Sequence, residues 1–182
     1  MDRVRRLVVA LIVLVVAGLV VLVVVVRPGL RENADDDDRT WSPLVAPLTA
    51  RYQALTALKD ALVAANVGDR QVVTALAARL EHWGIASSGT DVVDQVTTAN
   101  DLEGLAARAD TLVHTPRLLQ NPALIAAFDN FTKTQPQKQL LDAYNHRVVT
   151  YQGDRDGFWS RIVAHLDGYD MRPTLQLVPV PA

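Results

Sequence analysis

Residues 141–169 read LDAYNHRVVTYQGDRDGFWSRIVAHLDGY, and the spacing of their large side chains decides the fold class. At about 100° per residue, Leu141, Tyr144, Val148, Tyr151, Arg155, Phe158, Ile162, Leu166 and Tyr169 fall within roughly 60° of one line along a helix. The steps alternate between three and four from Leu141 to Ile162, a heptad-like seam suited to lying nearly parallel against partner helices. The tyrosines therefore read as one buried stripe of a long helix that Pro136 starts and Pro173 stops.

Two features of the stretch carry alternatives. Arg155 sits inside the stripe: its stem packs while its guanidinium reaches water or a carboxylate across the bundle, or it binds a ligand together with Tyr144 and Tyr151. Gly153 and Gly157 lie on the opposite side of the helix, four apart. They mark a local kink or break, or a smooth groove that another helix approaches closely.

Upstream the same period recurs. Leu44, Leu48, Tyr52, Leu55, Leu58 and Leu62 predict a helix from Leu44 to Val67, stopped by Gly68. Asp69 caps a second helix carrying Val73, Leu76, Leu80 and Trp83, which Gly84 and the SSGT of 87–90 break. Asp91 opens a third with Val92, Val96, Ala99, Leu102, Leu105, Ala109 and Leu112, ended by Pro116. Asn121-Pro122 supplies a cap and a first-turn proline for a short helix bearing Leu124, Ile125 and Phe128. Sustained alternation is absent, so the expected class is all-α.

The 20 residues LVVALIVLVVAGLVVLVVVV, 7–26, contain no polar side chain. At about 1.5 Å per residue they match the ~30 Å hydrocarbon core of a bilayer. A cleaved signal would be shorter and end in a small-x-small site, whereas this run ends Val25-Val26-Arg27-Pro28. The expected organisation is a basic flank (1–6), a transmembrane helix (7–26), an acidic linker (27–41), a long antiparallel helical bundle (42–172) and a proline-rich tail (173–182). In the linker, Asp35 to Asp38 repel one another and favour a solvated spacer over a cation loop. The tight cluster Arg3, Arg5, Arg6 favours a cytoplasmic N-terminus and an extracytoplasmic bundle.

The segment DAYNHRVVTYQGDRDGFWSRIVAHLDGYDMRP resembles the C-terminal signature of the LemA family. Tyr144-Asn145, Val148, Tyr151 and Phe158 fit it, as do the apolar Ile162-Val163-Ala164, Gly168-Tyr169 and Pro173. Pro116 and Leu118 in TPRLLQNPALIAAF fit a further segment, while Thr115, Gln152 and Trp159 depart from the pattern. The resemblance implies an N-terminal anchor and a long antiparallel bundle, and it brings no catalytic residues with it.

No residue set suggests chemistry. His82, His114, His146 and His165 lack the three- or four-residue spacing of a helical zinc site, so no metal or cofactor is expected. Asp154, Asp156 and Gly157 match only a fragment of a calcium loop. The serines lack nucleophile-elbow glycines, and Glu103 and Asp142 have no spacing that pairs them. A net charge of −2 without a basic stripe argues against nucleic acid. The expectation is a non-enzymatic, single-pass scaffold or interaction protein of the bacterial cell envelope, with bilayer and protein partners. The alternative is a sensor or small-ligand binder. Tyr144, Tyr151, Arg155, Gly153 and Gly157 are the candidate contact residues in either case.

Overall fold

A computed structural model describes residues 2–21, 24, 26–66, 69–167 and 171–177, and every regular element among them is a helix. In chain order these are α1 (Asp2–Val21), α2 (Arg27–Ala64), α3 (Arg70–Ala86), α4 (Val92–Val113), α5 (Pro122–Lys133), α6 (Lys138–Arg155) and α7 (Phe158–Asp167). The protein is all-α, as the periodicity predicts.

The spine is α2, which touches each of α3 to α7. Its 38 residues extend about 57 Å at ~1.5 Å each. Leu30, Asp37, Trp41, Leu44, Leu48, Arg51, Leu55, Leu58 and Leu62 form its inner seam, and none is more than 3% exposed. From Asp37 onward the steps alternate four and three, the spacing that keeps one face inward along the whole helix. Pro43 and Pro47 lie inside this helix, and each removes a backbone rung. The buried residues beside them, Leu44 and Leu48, supply packing that outweighs this local cost.

Partner directions follow from paired residues. Asn33 bonds Asp154, Asp36 pairs with Arg147 and Trp41 packs against Tyr144, so α6 runs antiparallel to α2. Arg79 pairs with Asp101 and His82 with Asp94, which sets α3 and α4 as an antiparallel hairpin. Asp69, Asp91 and Asn121 cap α3, α4 and α5 through their side-chain oxygens, as their positions in sequence predict. The chain leaves α2 through Asn66 at φ 50°, a left-handed conformation that asparagine tolerates better than most residues. The expected stop at Gly68 lies outside the described residues.

Four expectations need correction. Residues 27–41 are not a solvated linker: they form the first turns of α2, because Leu30, Asp37 and Trp41 continue its seam. Gly84 does not break α3, which runs on to Ala86. The long last helix is two helices, broken at Asp156–Gly157. The break resets the register, so the stripe holds through Tyr144, Val148 and Tyr151 and then fails. Phe158 and Leu166 are 71% and 74% exposed, while Val163 and Ala164 face inward instead.

The fourth concerns the glycines. A Cβ on Gly153 would meet nothing within 4 Å, so no helix approaches there. Gly157 sits at the helix break, where a Cβ would meet Ser160 Oγ at 3.3 Å. The kink-or-break alternative describes it.

The apolar run 7–26 is only partly within the described residues, since 22, 23 and 25 lie outside them. Among the described residues no helix is long and apolar enough to cross a membrane.

Candidate functional site

The polar residues gather where the start of α2, the end of α6 and the segment 172–177 meet. Asp36, Asp37 and Asp38 occupy successive positions of α2 and so point in different directions. Asp36 accepts from Arg147 of α6, and Asp38 accepts from Arg172. Asp37 faces the interior and is fully buried, with Arg172 Nε at 3.8 Å and no hydrogen-bond partner on either oxygen among the described residues. Burial pushes its carboxyl up to about 6, against the pull of Arg172 and Arg147 and with help from Asp38 and Asp36. The run read as a repelling spacer thus latches α2 to α6 through Asp36 and to the tail through Asp38.

Beyond Arg172 the chain lies extended between α4 and α6, held by two asparagines. Asn145 Nδ2 donates to the Leu175 carbonyl at 2.9 Å, and its Oδ1 accepts from the Leu175 N–H at 2.8 Å. Asn100 Nδ2 donates to the Thr174 carbonyl at 2.8 Å, and its Oδ1 accepts from the Gln176 N–H at 2.9 Å. Tyr144 Oη donates to the Pro173 carbonyl, and Gln152 Nε2 to the Arg172 carbonyl. These bonds satisfy the extended backbone much as a neighbouring strand would, while Leu175 enters the core at 1% exposure. The proline-rich tail is therefore docked up to residue 177, and its last five residues lie outside the described set. A cavity of about 540 Å³ flanks it, lined by Asn100, Glu103, Gly104, Gln152, Pro173, Thr174, Gln176 and Leu177.

Behind the tail lies a second polar centre. Arg51 Nε donates to Glu103 Oε1 at 2.7 Å and its second amine to Oε2 at 2.9 Å, with both side chains buried. The guanidinium also lies 4.0 Å over the Phe131 ring and donates to the Phe131 carbonyl. Burial first, then the Glu103 charge, keeps the Tyr52 hydroxyl protonated well above the usual tyrosine range. Gln95 joins the elements on the far side: it accepts from the Trp41 indole N–H and donates to the carbonyls of Ala86 and Gly89.

Of the predicted contact residues, Tyr144 and Tyr151 are both buried, but in two separate clusters of the interior. Tyr144 packs against Trp41 with ring centroids 5.0 Å apart and the rings tilted by 57°, and burial raises its hydroxyl well above the ordinary value. Tyr151 packs with Leu30 and Val163. Arg155 is half-buried at the end of α6, and Gly153 and Gly157 face solvent. Among the described residues no three His, Asp or Glu side chains are grouped to hold a metal ion.

Sequence reasoning missed Asp37, Arg51, Asn100, Asn145 as a tail clamp, and Arg172. One signal was available for the first two. Extending the Leu44–Leu62 seam by its own steps places Arg51 within it and reaches Trp41 and Asp37 upstream. No protein-family model, curated protein or solved structure matches the chain.

Proposed function

We propose that this protein is a single-pass, membrane-anchored helical scaffold of the cell envelope, acting by holding other proteins rather than by catalysis. The observation that carries this reading is the state of α1. Leu7, Val8, Val9, Leu11, Ile12, Val13, Leu14, Val15, Val16, Leu19 and Val20 are each at least half exposed, on every side of the helix. Among the described residues α1 touches none of the other helices. In water this apolar area, at about 25 cal/mol per Å², would favour collapse or association; in a hydrocarbon layer it needs no protein partner. A bilayer is the solvent that suits it, with the run 7–26 as the span.

The LemA-like signature supports the same reading from another side. Three residues that carry the resemblance, Tyr144, Asn145 and Pro173, come together where the tail docks. The arginine cluster at 3, 5 and 6 favours a cytoplasmic N-terminus and an extracytoplasmic bundle.

The absence of cysteine makes the topology test direct. A single cysteine at the exposed Ser88 should react with a membrane-impermeant maleimide on intact cells, and the protein should stay with membranes through alkaline carbonate extraction. Release by carbonate or by high salt alone would overturn the anchor. Cross-linking in mild detergent should return the same protein partners in repeated trials, and a consistently empty result would overturn the scaffold.

A further inference from the structure

Among the described residues α4 and α6 do not touch each other, and the segment 172–177 fills the slot between them. In an extended chain the N–H and C=O of one residue point to one edge, and those of its neighbours to the other. Asn145 of α6 pairs with both groups of Leu175. Asn100 of α4 pairs with the Thr174 carbonyl and the Gln176 N–H from the opposite edge. All four bonds end on backbone atoms, so they grip an extended chain whatever its side chains. Selection among side chains comes from two other places. Leu175 is buried in the main core with Leu177 packed against it, and Arg172 meets Asp37 and Asp38. Backbone bonds for affinity and alternate pockets for specificity are how a groove recognises a peptide strand.

The tail does not fill this slot. Thr174 and Gln176 alternate with Leu175 along the extended chain, and both border the cavity of about 540 Å³, whose other walls include Gly104 and Gln152. A Cβ on Gly104 would meet nothing within 4 Å, so the α4 wall is open as well. This is space that the threonine leaves empty and that an aromatic ring in the same register would occupy.

We propose that the α4–α6 slot is a peptide-binding groove in which the chain's own tail is the resident ligand. Its partner is an extended segment of another protein that keeps the arginine, proline and two leucines of 172–177 and carries an aromatic residue in the place of Thr174. The aromatic residue is what favours a foreign segment, since the tail of a second copy would leave the cavity as empty as the resident tail does. The tail then acts as a tethered competitor that a better-fitting segment displaces. This inference rests on the reading of the bundle as a holder of other proteins, to which it gives a site, and is independent of the anchor.

Two fluorescein-labelled peptides copy residues 171–177, one unchanged and one carrying Thr174→Tyr. Fluorescence anisotropy reads their binding to the full-length chain in detergent. Leu175→Asp in the chain loosens the resident tail, and Arg172→Glu, outside the core, is a second variant in case the first loses helicity by circular dichroism. Both peptides should bind these variants, the Thr174→Tyr peptide about tenfold tighter. Both should bind the parent about tenfold or more weakly, because its tethered tail competes at high local concentration. Adding Asn100→Ala and Asn145→Ala to either variant should abolish binding, and binding that survives them overturns the groove. Equal affinity of the two peptides overturns the foreign segment and leaves the slot to tails of this protein. Failure of both peptides to bind a helical variant also overturns the groove, and cross-linked partners that persist in that case leave the scaffold standing.

Discussion

Arg51 and Glu103 face each other through two parallel hydrogen bonds in the middle of the bundle, α2 against α4, with almost no access to water. Such a fork-to-carboxylate pair is geometrically demanding, so it fixes the axial register of two helices that apolar seams alone would let slide. Its net effect on stability is small, because desolvating both charges offsets their attraction. Breaking it is another matter. Arg51→Met should lower stability by about 3–5 kcal/mol, since Glu103 stays buried without its countercharge. The double variant Arg51→Met/Glu103→Leu should recover most of that loss. Thermal unfolding of the full-length chain in detergent, followed by circular dichroism, measures both. A double variant no better than the single one would show that the pair, and not the orphaned charge, carries the energy.

The tail clamp gives a prediction with a different readout. Asn145→Ala removes both bonds to Leu175, and Asn100→Ala removes those to Thr174 and Gln176. Each should cost about 0.5–1.5 kcal/mol per bond lost, because the backbone groups of the tail are part-buried or, at Gln176, exposed. The double variant should expose 172–177 to proteolysis, with cleavage mapped by mass spectrometry, while α2 to α5 remain resistant. Leu175→Ala should behave likewise through a lost core contact, at a cost of about 2–5 kcal/mol. Equal resistance of parent and double variant would show that packing alone docks the tail.

How far the sequence reached depends on which interaction decides each element. The leucine steps of α2, the caps at Asp69, Asp91 and Asn121, and the tyrosines of α6 were legible because periodicity and capping are local. For the acidic run 35–38 charge composition argues for solvation, whereas the helical register of Trp41 and Leu30 puts Asp37 inside. The break at Asp156–Gly157 is signalled locally only by the two glycines, while the three-and-four spacing runs on past it to Ile162. Asn100, Asn145 and the tail were beyond reach: they meet across 74 and 30 residues of chain, and nothing local encodes that pairing.

The cap at Asn121 offers a local control on this view. Its Oδ1 accepts from the N–H groups of Ala123 and Leu124 at 3.1 and 3.2 Å. Asn121→Ala should cost about 1 kcal/mol and Asn121→Gly only a few tenths, both read from the apparent melting midpoint. A cost for alanine above about 3 kcal/mol would mean that the residue does more than cap α5.

Asp37 should give the molecule an inverted acid response. Its carboxyl stands at about 6 in the folded protein against 3.8 ordinarily, so the folded state holds the proton more tightly. Below pH ~4 both states are protonated and the buried group costs nothing as a charge. As pH rises from about 4 to about 6 the unfolded chain ionises first, and native stability falls. Above about 6 both states are ionised, and the full penalty is on the order of 3 kcal/mol at ~1.4 kcal/mol per unit. Asp37→Asn keeps the shape and removes the charge, and other carboxylates cancel in the comparison with the parent. The variant should match the parent near pH 4 and exceed it at pH 7–8, in apparent melting midpoints of the full-length chain. If the parent is instead the more stable at high pH, the attraction of Arg172 outweighs the cost of burial, and the Asp37 charge itself stabilises the latch.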